Sequence, residues 1–167
     1  MENKWRQTLK TITFPQVTGK NLERKKYQFP QDFPAKHNIV LMAFYRHQQL
    51  DINTWLPFLD QLEEKYEDLA YLELPVIYQM GPVRQFMLNE GMRMGIPDQK
   101  ARKNTITLYL DKSQFLKHLG IDSEEEIQIL LVTGDGKVLW RETGIFTNQK
   151  GLALDQFLLE KKSKVSE

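Results

Sequence analysis

A continuous apolar run in the first third of the chain constrains the fold more than any other feature. Residues Ile39–Phe44 are all apolar, which is typical of a strand covered on both faces. A short stretch of mostly polar residues follows, and from residue 52 apolar side chains recur at helical spacing: Ile52, Trp55, Leu56, Leu59, Leu62 and Tyr66. The stretch Asn38–Tyr66 therefore predicts a buried strand, an exposed turn and a helix with Asp51 as its N-cap.

A proline lies inside this helical pattern, at Pro57. Beyond the first turn of a helix, proline removes a backbone hydrogen bond and bends the helix, at a cost of about 3 kcal/mol or more. The sequence therefore predicts a kinked helix after the first buried strand.

The remaining segments alternate between strand and helix patterns. Thr11–Pro15 and Lys25–Phe29 predict an N-terminal ribbon with Thr18–Lys20 as its turn. Further strands are predicted at Leu69–Ile77, Asn104–Leu110, Ile127–Val132 and Lys137–Glu142, and helices at Pro82–Met94, Ser113–Leu119 and Gly151–Lys162. Strands that alternate with helices imply an α/β fold, here a central mixed β-sheet flanked by helices, with an N-terminal β-ribbon and a helix–strand insertion.

The length of 167 residues suits a single domain, which we place at residues 11–160. Residues 1–10 are expected to form an N-terminal arm and residues 161–167 a frayed tail. The net charge of +1 gives no global attraction for nucleic acid. No run of apolar residues reaches the length of a signal peptide core or a membrane span, so we expect a cytoplasmic protein.

Several short patterns resemble the thioredoxin-like fold, in the larger form shared by peroxiredoxins and TlpA-type thiol oxidoreductases. The patterns are Pro57-Phe58-Leu59-Asp60 followed by Tyr66, the segment Pro82–Met94, Leu119-Gly120-Ile121, Gly136-Lys137-Val138 and Gly144. The resemblance implies that the strand, turn and helix around residues 38–66 correspond to the redox site of that fold.

A closer resemblance is to the mitochondrial ATP synthase assembly-factor family named ATPase-ten, whose members are cysteine-poor. It is carried by Gly91–Pro97, by the Leu119–Ile121 step and by the final strands from Leu131 to Gly144, with Trp140 and Arg141. This resemblance implies a role in protein assembly. The chain departs from the family in showing no organelle-targeting segment.

The chemistry of the redox fold is missing from this chain. It contains no cysteine, and counting back from Pro57 places the two redox cysteines of thioredoxins at Gln49 and Ile52. Neither side chain can supply a thiolate at a helix N-terminus. The substrate-binding cis-proline of the fold would lie near Ile127 or Gln128, where the chain has no proline, so a trans bond is expected there.

Other chemistry has weaker support in the sequence. His47 and Asp51 lie on the turn that replaces the redox site and are the candidates for a thiol-independent enzyme. The run Glu124–Glu126 reads either as a cation site or as a solvated loop. The three histidines lack ligand spacing, so no metal and no cofactor are predicted.

The sequence favours a non-catalytic thioredoxin-like protein that binds another protein, as an assembly or chaperone-like factor. A homodimeric structural relative of peroxiredoxins is the other alternative. Methionines and basic residues cluster in the segment 80–103, where they either pack under the insertion or meet an acidic partner. The candidate binding surface comprises Arg46, His47, Gln48, Gln49, Asp51, Met80, Arg84, Met87 and Arg93.

Overall fold

The computed structural model describes residues 11–165, and the expected N-terminal arm, residues 1–10, lies outside that range. The strands are β1 (Val17–Asn21), β2 (Lys26–Phe29), β3 (His37–Ala43), β4 (Leu69–Tyr78), β5 (Ile106–Leu110), β6 (Gln128–Thr133) and β7 (Val138–Thr143). The helices are α1 (Gln49–Asn53), α2 (Leu56–Lys65), α3 (Pro82–Gly95), α4 (Gln99–Asn104), α5 (Lys112–His118) and α6 (Asn148–Val165). None of these helices combines the length and the apolar composition needed to cross a bilayer.

The seven strands form one mixed sheet in the order β2-β1-β5-β4-β3-β6-β7. Strand β3 lies inside it, parallel to β4 and antiparallel to β6. The predicted fold class is therefore confirmed, including the N-terminal ribbon β1–β2 and the closing hairpin β6–β7. The continuous apolar run of β3 follows from its place in the sheet, because both of its faces are covered.

Alternate residues of β3 enter two separate cores. Val40 and Met42 face one core, whereas Ile39 and Leu41 face the other. The second core receives the helix that follows β3. Trp55 is fully buried there, and its indole N–H donates a 2.9 Å hydrogen bond to the carbonyl of Gly144.

The helix after β3 begins earlier than predicted and is interrupted. A 3₁₀ turn at Arg46–Gln48 leads directly into α1, so Asp51 lies inside a helix and the prediction that it is the N-cap is wrong. Helix α1 ends at Asn53, and Pro57 occupies the first turn of α2. Proline is tolerated at that position, which explains why the predicted kink appears as a break between two helices.

The second strand of the N-terminal ribbon is confirmed within one residue, but the predicted first strand and turn are wrong. Only Thr13 forms a bridge, to Lys137, and Gly19 lies within β1 rather than in a turn. A Cβ atom at Gly19 would approach the carbonyl oxygen of Thr107 to 2.6 Å. Glycine is thus required by the close approach of β5 and not by a turn.

Two further boundaries differ from prediction. Asn104 ends helix α4, which the sequence analysis did not predict, and β5 begins at Ile106. Helix α6 continues to Val165, so residues 161–165 are helical and not a frayed tail. The predicted strands around β4, β6 and β7 are confirmed within one or two residues.

Candidate functional site

The segments that follow β3 and β4 meet at the end of the sheet that the sequence resemblance matches to a redox site. A buried amide, Gln48, organises this end. Its Oε1 accepts hydrogen bonds from the backbone N–H groups of Phe44 (2.7 Å) and Tyr45 (3.2 Å). Its Nε2 donates a 2.7 Å bond to the carbonyl of Glu124. Gln48 was predicted to lie on the binding surface, but it is fully buried and holds the turn in place.

The two positions of the missing cysteines have separate environments. Ile52 is buried in the core beside Trp55. Gln49 begins α1, and its Nε2 donates to Glu73 Oε1 at 2.9 Å and to Asn53 Oδ1 at 3.0 Å. Its backbone N–H bonds the carbonyl of Arg46, because the 3₁₀ turn has moved the start of the helical segment upstream. The N–H of residue 49 is therefore already bonded and is not free to stabilise a thiolate.

Glu73 lies beside the predicted site, although the sequence pattern did not predict it as a site residue. It lies in β4 and is only 5% exposed, and its Oε1 accepts a 2.9 Å hydrogen bond from Gln49 Nε2. Burial raises the pKa of the Glu73 carboxyl, and the hydrogen bond from Gln49 offsets part of that rise. The available signal was a single carboxylate between Leu72 and Leu74 in an otherwise apolar strand.

Three other predicted residues lie on the outer side of the 3₁₀ turn and α1. Arg46 and His47 are exposed, and the His47 ring stacks on Tyr45 with a centroid distance of 5.7 Å. Asp51 is half-buried, and its backbone carbonyl accepts a hydrogen bond from Thr54 Oγ1 at 2.6 Å. No contact in the described chain joins His47 to Asp51, and their proposed catalytic role stays a prediction.

A buried lysine closes the same end of the sheet from the opposite face. Lys112 is 4% exposed and forms a 2.5 Å ion pair with Glu124. Its Nζ lies 4.7 Å from the ring centroid of Tyr78 and 5.2 Å from that of Tyr45. Such cation–π contacts strengthen when the cation is desolvated. Lys112 thus ties the loop before β6 to the segment after β3 and to the last residue of β4.

Helix α3 is oriented with its apolar side outward. None of its residues is buried, and Phe86, Met87 and Met94 are 60%, 67% and 86% exposed. The half-buried side is mainly polar and includes Gln85, Asn89 and Arg93. A surface helix normally shows the opposite arrangement, so the outward face of α3 is unusual for a free surface.

Polar contacts hold the inner side of α3 against the domain. The Tyr109 hydroxyl donates a 2.7 Å hydrogen bond to Asn89 Oδ1, and burial raises the pKa of Tyr109 to about 12. Arg24 forms a 2.7 Å ion pair with Glu90. These contacts replace the apolar packing that anchors most surface helices.

Most basic residues of the segment 80–103 form ion pairs with acidic residues of the same chain. Arg93 lies 3.8 Å from both Glu23 and Glu90, and Arg102 bonds Glu23 at 2.9 Å. Lys100 forms ion pairs with Asp60 and Glu63. Burial lowers the pKa of Lys100, but the hydrogen bonds to these two carboxylates raise it by more. Among residues 11–165, Arg84 forms no ion pair and is exposed on α3.

Met80 and Met87, the predicted methionines of the binding surface, lie in different environments. Met80 is half-buried, and its carbonyl accepts a 2.6 Å hydrogen bond from Gln85 Nε2. Met87 is exposed. The alternative in which the methionines pack beneath the insertion is therefore wrong for Met87 and Met94.

Comparisons with known proteins give structures but no family. No family model matches the chain, and no curated protein matches it. The pneumococcal exposed lipoprotein thioredoxin Etrx1 from Streptococcus pneumoniae is similar, with a TM-score of 0.55 and 17% identity over 87% of this chain and 99% of that chain. Copper-bound yeast Sco1 has a TM-score of 0.57 and 14% identity, covering 92% of this chain and 95% of its own.

A third similar structure is BsSco, described as a member of the Sco family of cytochrome c oxidase assembly proteins. Its TM-score is 0.59 at 14% identity, over 92% of this chain and 94% of that chain. At these identities the likeness shows the fold alone. The chain has a thioredoxin-like fold, similar to that of Etrx1 and BsSco, and it contains no cysteine.

Introducing a cysteine at residue 49 tests whether the backbone there can stabilise a thiolate. We expect the thiol of the Gln49→Cys variant to have a pKa at or above about 8.5, the ordinary value for cysteine. Its backbone N–H is already bonded, and the neighbouring Glu73 carboxyl disfavours a thiolate. The pH dependence of alkylation by iodoacetamide measures this pKa, with Leu50→Cys as the exposed control. A pKa well below that of the control would contradict the assignment.

Replacing the buried carboxylate tests the effect of Glu73 on stability. A raised pKa means that the native state binds more protons than the unfolded state between the two pKa values. Stability therefore falls as pH rises through that interval. Glu73→Gln keeps an acceptor for Gln49 and should stabilise the protein at about pH 7, by on the order of 1 kcal/mol or about 2–4 °C in Tm.

The same substitution should have little effect at about pH 3.5, where the carboxyl is protonated in both states. Thermal unfolding followed by circular dichroism at several pH values measures the difference, with the exposed Glu67→Gln as control. Equal changes in Tm at both ends of the pH range would show that Glu73 does not act through its charge.

Proposed function

We propose that the chain is a non-catalytic thioredoxin-like protein that binds another protein through the outward face of α3, as an assembly or chaperone-like factor. The observation that carries the proposal is the orientation of α3, whose apolar side chains face outward while mainly polar ones face the domain. We define the α3 face as the exposed residues Val83, Arg84, Phe86, Met87 and Met94.

The composition of the α3 face suits a protein interface. Aromatic side chains, methionine and arginine are enriched in interfaces, and all three are present here. At the observed exposures its apolar side chains leave a patch on the order of several hundred Å², the size at which exposed apolar surface tends to have a binding function. Burying apolar area contributes roughly 25 cal/mol per Å² before the costs of association.

The charge of the α3 face specifies the chemistry of the partner. Arg84 is its single cation and forms no ion pair with residues 11–165, whereas Glu90 is already paired with Arg24. We infer that the partner presents an apolar segment that carries an acidic side chain. The flexible methionines adapt to the shape of such a segment.

Two likenesses support an assembly role. BsSco is described as belonging to a family of cytochrome c oxidase assembly proteins, and the chain resembles the ATPase-ten assembly factors in the segments around Gly91–Pro97 and Trp140. The absence of cysteine removes thiol-disulfide exchange from the possible activities. The cytoplasmic location, the enzyme alternative at His47 and Asp51 and the homodimer stay predictions, and no contact favours the enzyme.

Site-specific photo-cross-linking tests the proposed partner surface. A photoreactive amino acid replaces Phe86 on the α3 face, and in the matched control it replaces Leu152, which is 68% exposed on α6. We expect the probe at residue 86 to cross-link, in native cells, an apolar peptide that contains Asp or Glu. The probe at residue 152 should not cross-link that peptide.

Substitutions on the α3 face then distinguish specific binding of the partner from non-specific hydrophobic binding. Met87→Asp should abolish the cross-link from residue 86, and Arg84→Glu should reduce it several-fold, since each removes one part of the complementarity. Leu152→Asp should have no effect. Equal cross-linking from residues 86 and 152, or cross-links at residue 86 to a second copy of this chain alone, would contradict the proposal.

A further inference from the structure

A cavity lies between the loop after α5 and strands β6 and β7. Its volume is about 480 Å³, enough to admit a long side chain. Four carboxylates line it, together with one amide and one guanidinium: Asp122, Glu125, Glu126, Glu142, Gln128 and Arg141. The cavity includes two residues of the Glu124–Glu126 run, whose third member is paired with Lys112.

The four carboxylates of this cavity outnumber the two cations beside it, Arg141 and Lys150, whose Nζ donates a 2.7 Å hydrogen bond to the carbonyl of the lining residue Thr143. None of its four carboxylates forms an ion pair with another of residues 11–165. Arg141, the one cation of the lining, offsets part of this negative charge, and its Nη1 donates a 2.6 Å hydrogen bond to the carbonyl of Leu119. Burial lowers the pKa of Arg141, and the nearby charge of Asp122 partly opposes this. A negative potential therefore remains in the cavity.

A buried amide in the cavity wall is a second and independent observation. Gln128 is 7% exposed, and its side chain has no hydrogen-bond partner in the described chain. Strand register places it opposite Thr143 on β7, another lining residue. Its polar atoms are not among the fully enclosed, unpaired side-chain atoms of residues 11–165, so they open into the cavity. The side-chain carbonyl oxygen of Gln128 is thus accessible to a ligand that donates a hydrogen bond.

We propose that the cavity binds an arginine or lysine side chain of a protein partner. The cation is attracted by the four carboxylates, and one of its N–H groups donates to the carbonyl oxygen of Gln128. No cluster of three His, Asp or Glu side chains within residues 11–165 is suited to hold a metal ion. Spread carboxylates instead suit an extended organic cation. This inference rests on the proposed protein-binding function and adds a second contact to it.

Peptide titration of the full-length chain tests the inference. The probe is an acetylated and amidated tetra-arginine peptide, and the control is the tetra-glutamine peptide of the same length. We expect the arginine peptide to shift the NMR signal of the Gln128 side-chain amide and to bind more weakly as salt is added. The glutamine peptide should leave that signal unchanged.

Three variants identify the contacts. Gln128→Met preserves volume and should weaken binding about tenfold, because it removes a hydrogen bond to a charged donor. Glu142→Gln should weaken binding about two- to fivefold and reduce its salt dependence. Glu67→Gln, beside the other end of the sheet, is the matched control and should change nothing.

Several results would overturn the inference. One is equal weakening by Glu67→Gln and Glu142→Gln, and another is undiminished binding in Gln128→Met. Binding that appears only after removal of residues 1–10, which contain Lys4, Arg6 and Lys10, would assign the cavity to this chain's own segment. If the cavity does not bind the arginine peptide, cross-linking from residue 86 is still expected. The two experiments therefore test the cavity and the α3 face independently.

Discussion

The end of the sheet that the fold uses for redox chemistry depends here on the hydrogen bonds of one buried amide. Gln48 accepts two backbone N–H groups at the end of β3 and donates to Glu124 in the loop before β6. A buried amide with all these groups satisfied is rigid, because breaking any bond leaves an unpaired polar atom in the interior. Gln48 is the last residue of the 3₁₀ turn that starts at Arg46, and the N–H of the next residue, Gln49, is bonded to the carbonyl of Arg46.

The fold is thus retained while its reactive end is closed. The Lys112–Glu124 ion pair and the rings of Tyr45 and Tyr78 add to the closure from the other face of the sheet. The features that remain available to another molecule lie elsewhere: the outward apolar face of α3 and the acidic cavity beside Gln128. Both suit recognition of a protein, and neither requires a thiol.

Periodicity made much of this structure predictable. The apolar run of β3 and the helical spacing from Ile52 to Tyr66 specify a buried strand and a helix face, and both were found. Context decides the rest. Gly19 looks like a turn residue, but a close approach between strands requires it. A glutamine in a polar stretch is expected to be exposed, because polar residues usually are. Gln48 is buried because three backbone groups, two nearby and one distant in sequence, satisfy its amide. The pattern of α3 contains an apolar side but cannot indicate that the surface beneath it is polar.

Hydrogen exchange at the end of β3 tests the central claim most directly. If Gln48 closes this end, the amide protons of Phe44 and Tyr45 exchange as slowly as those in the middle of β3, and Gln48→Met accelerates both without changing the exchange of β5. Rapid exchange of these two amides in the unaltered protein, at the rate of an exposed loop, would contradict it. The end of the sheet would then be open, as a reactive site requires.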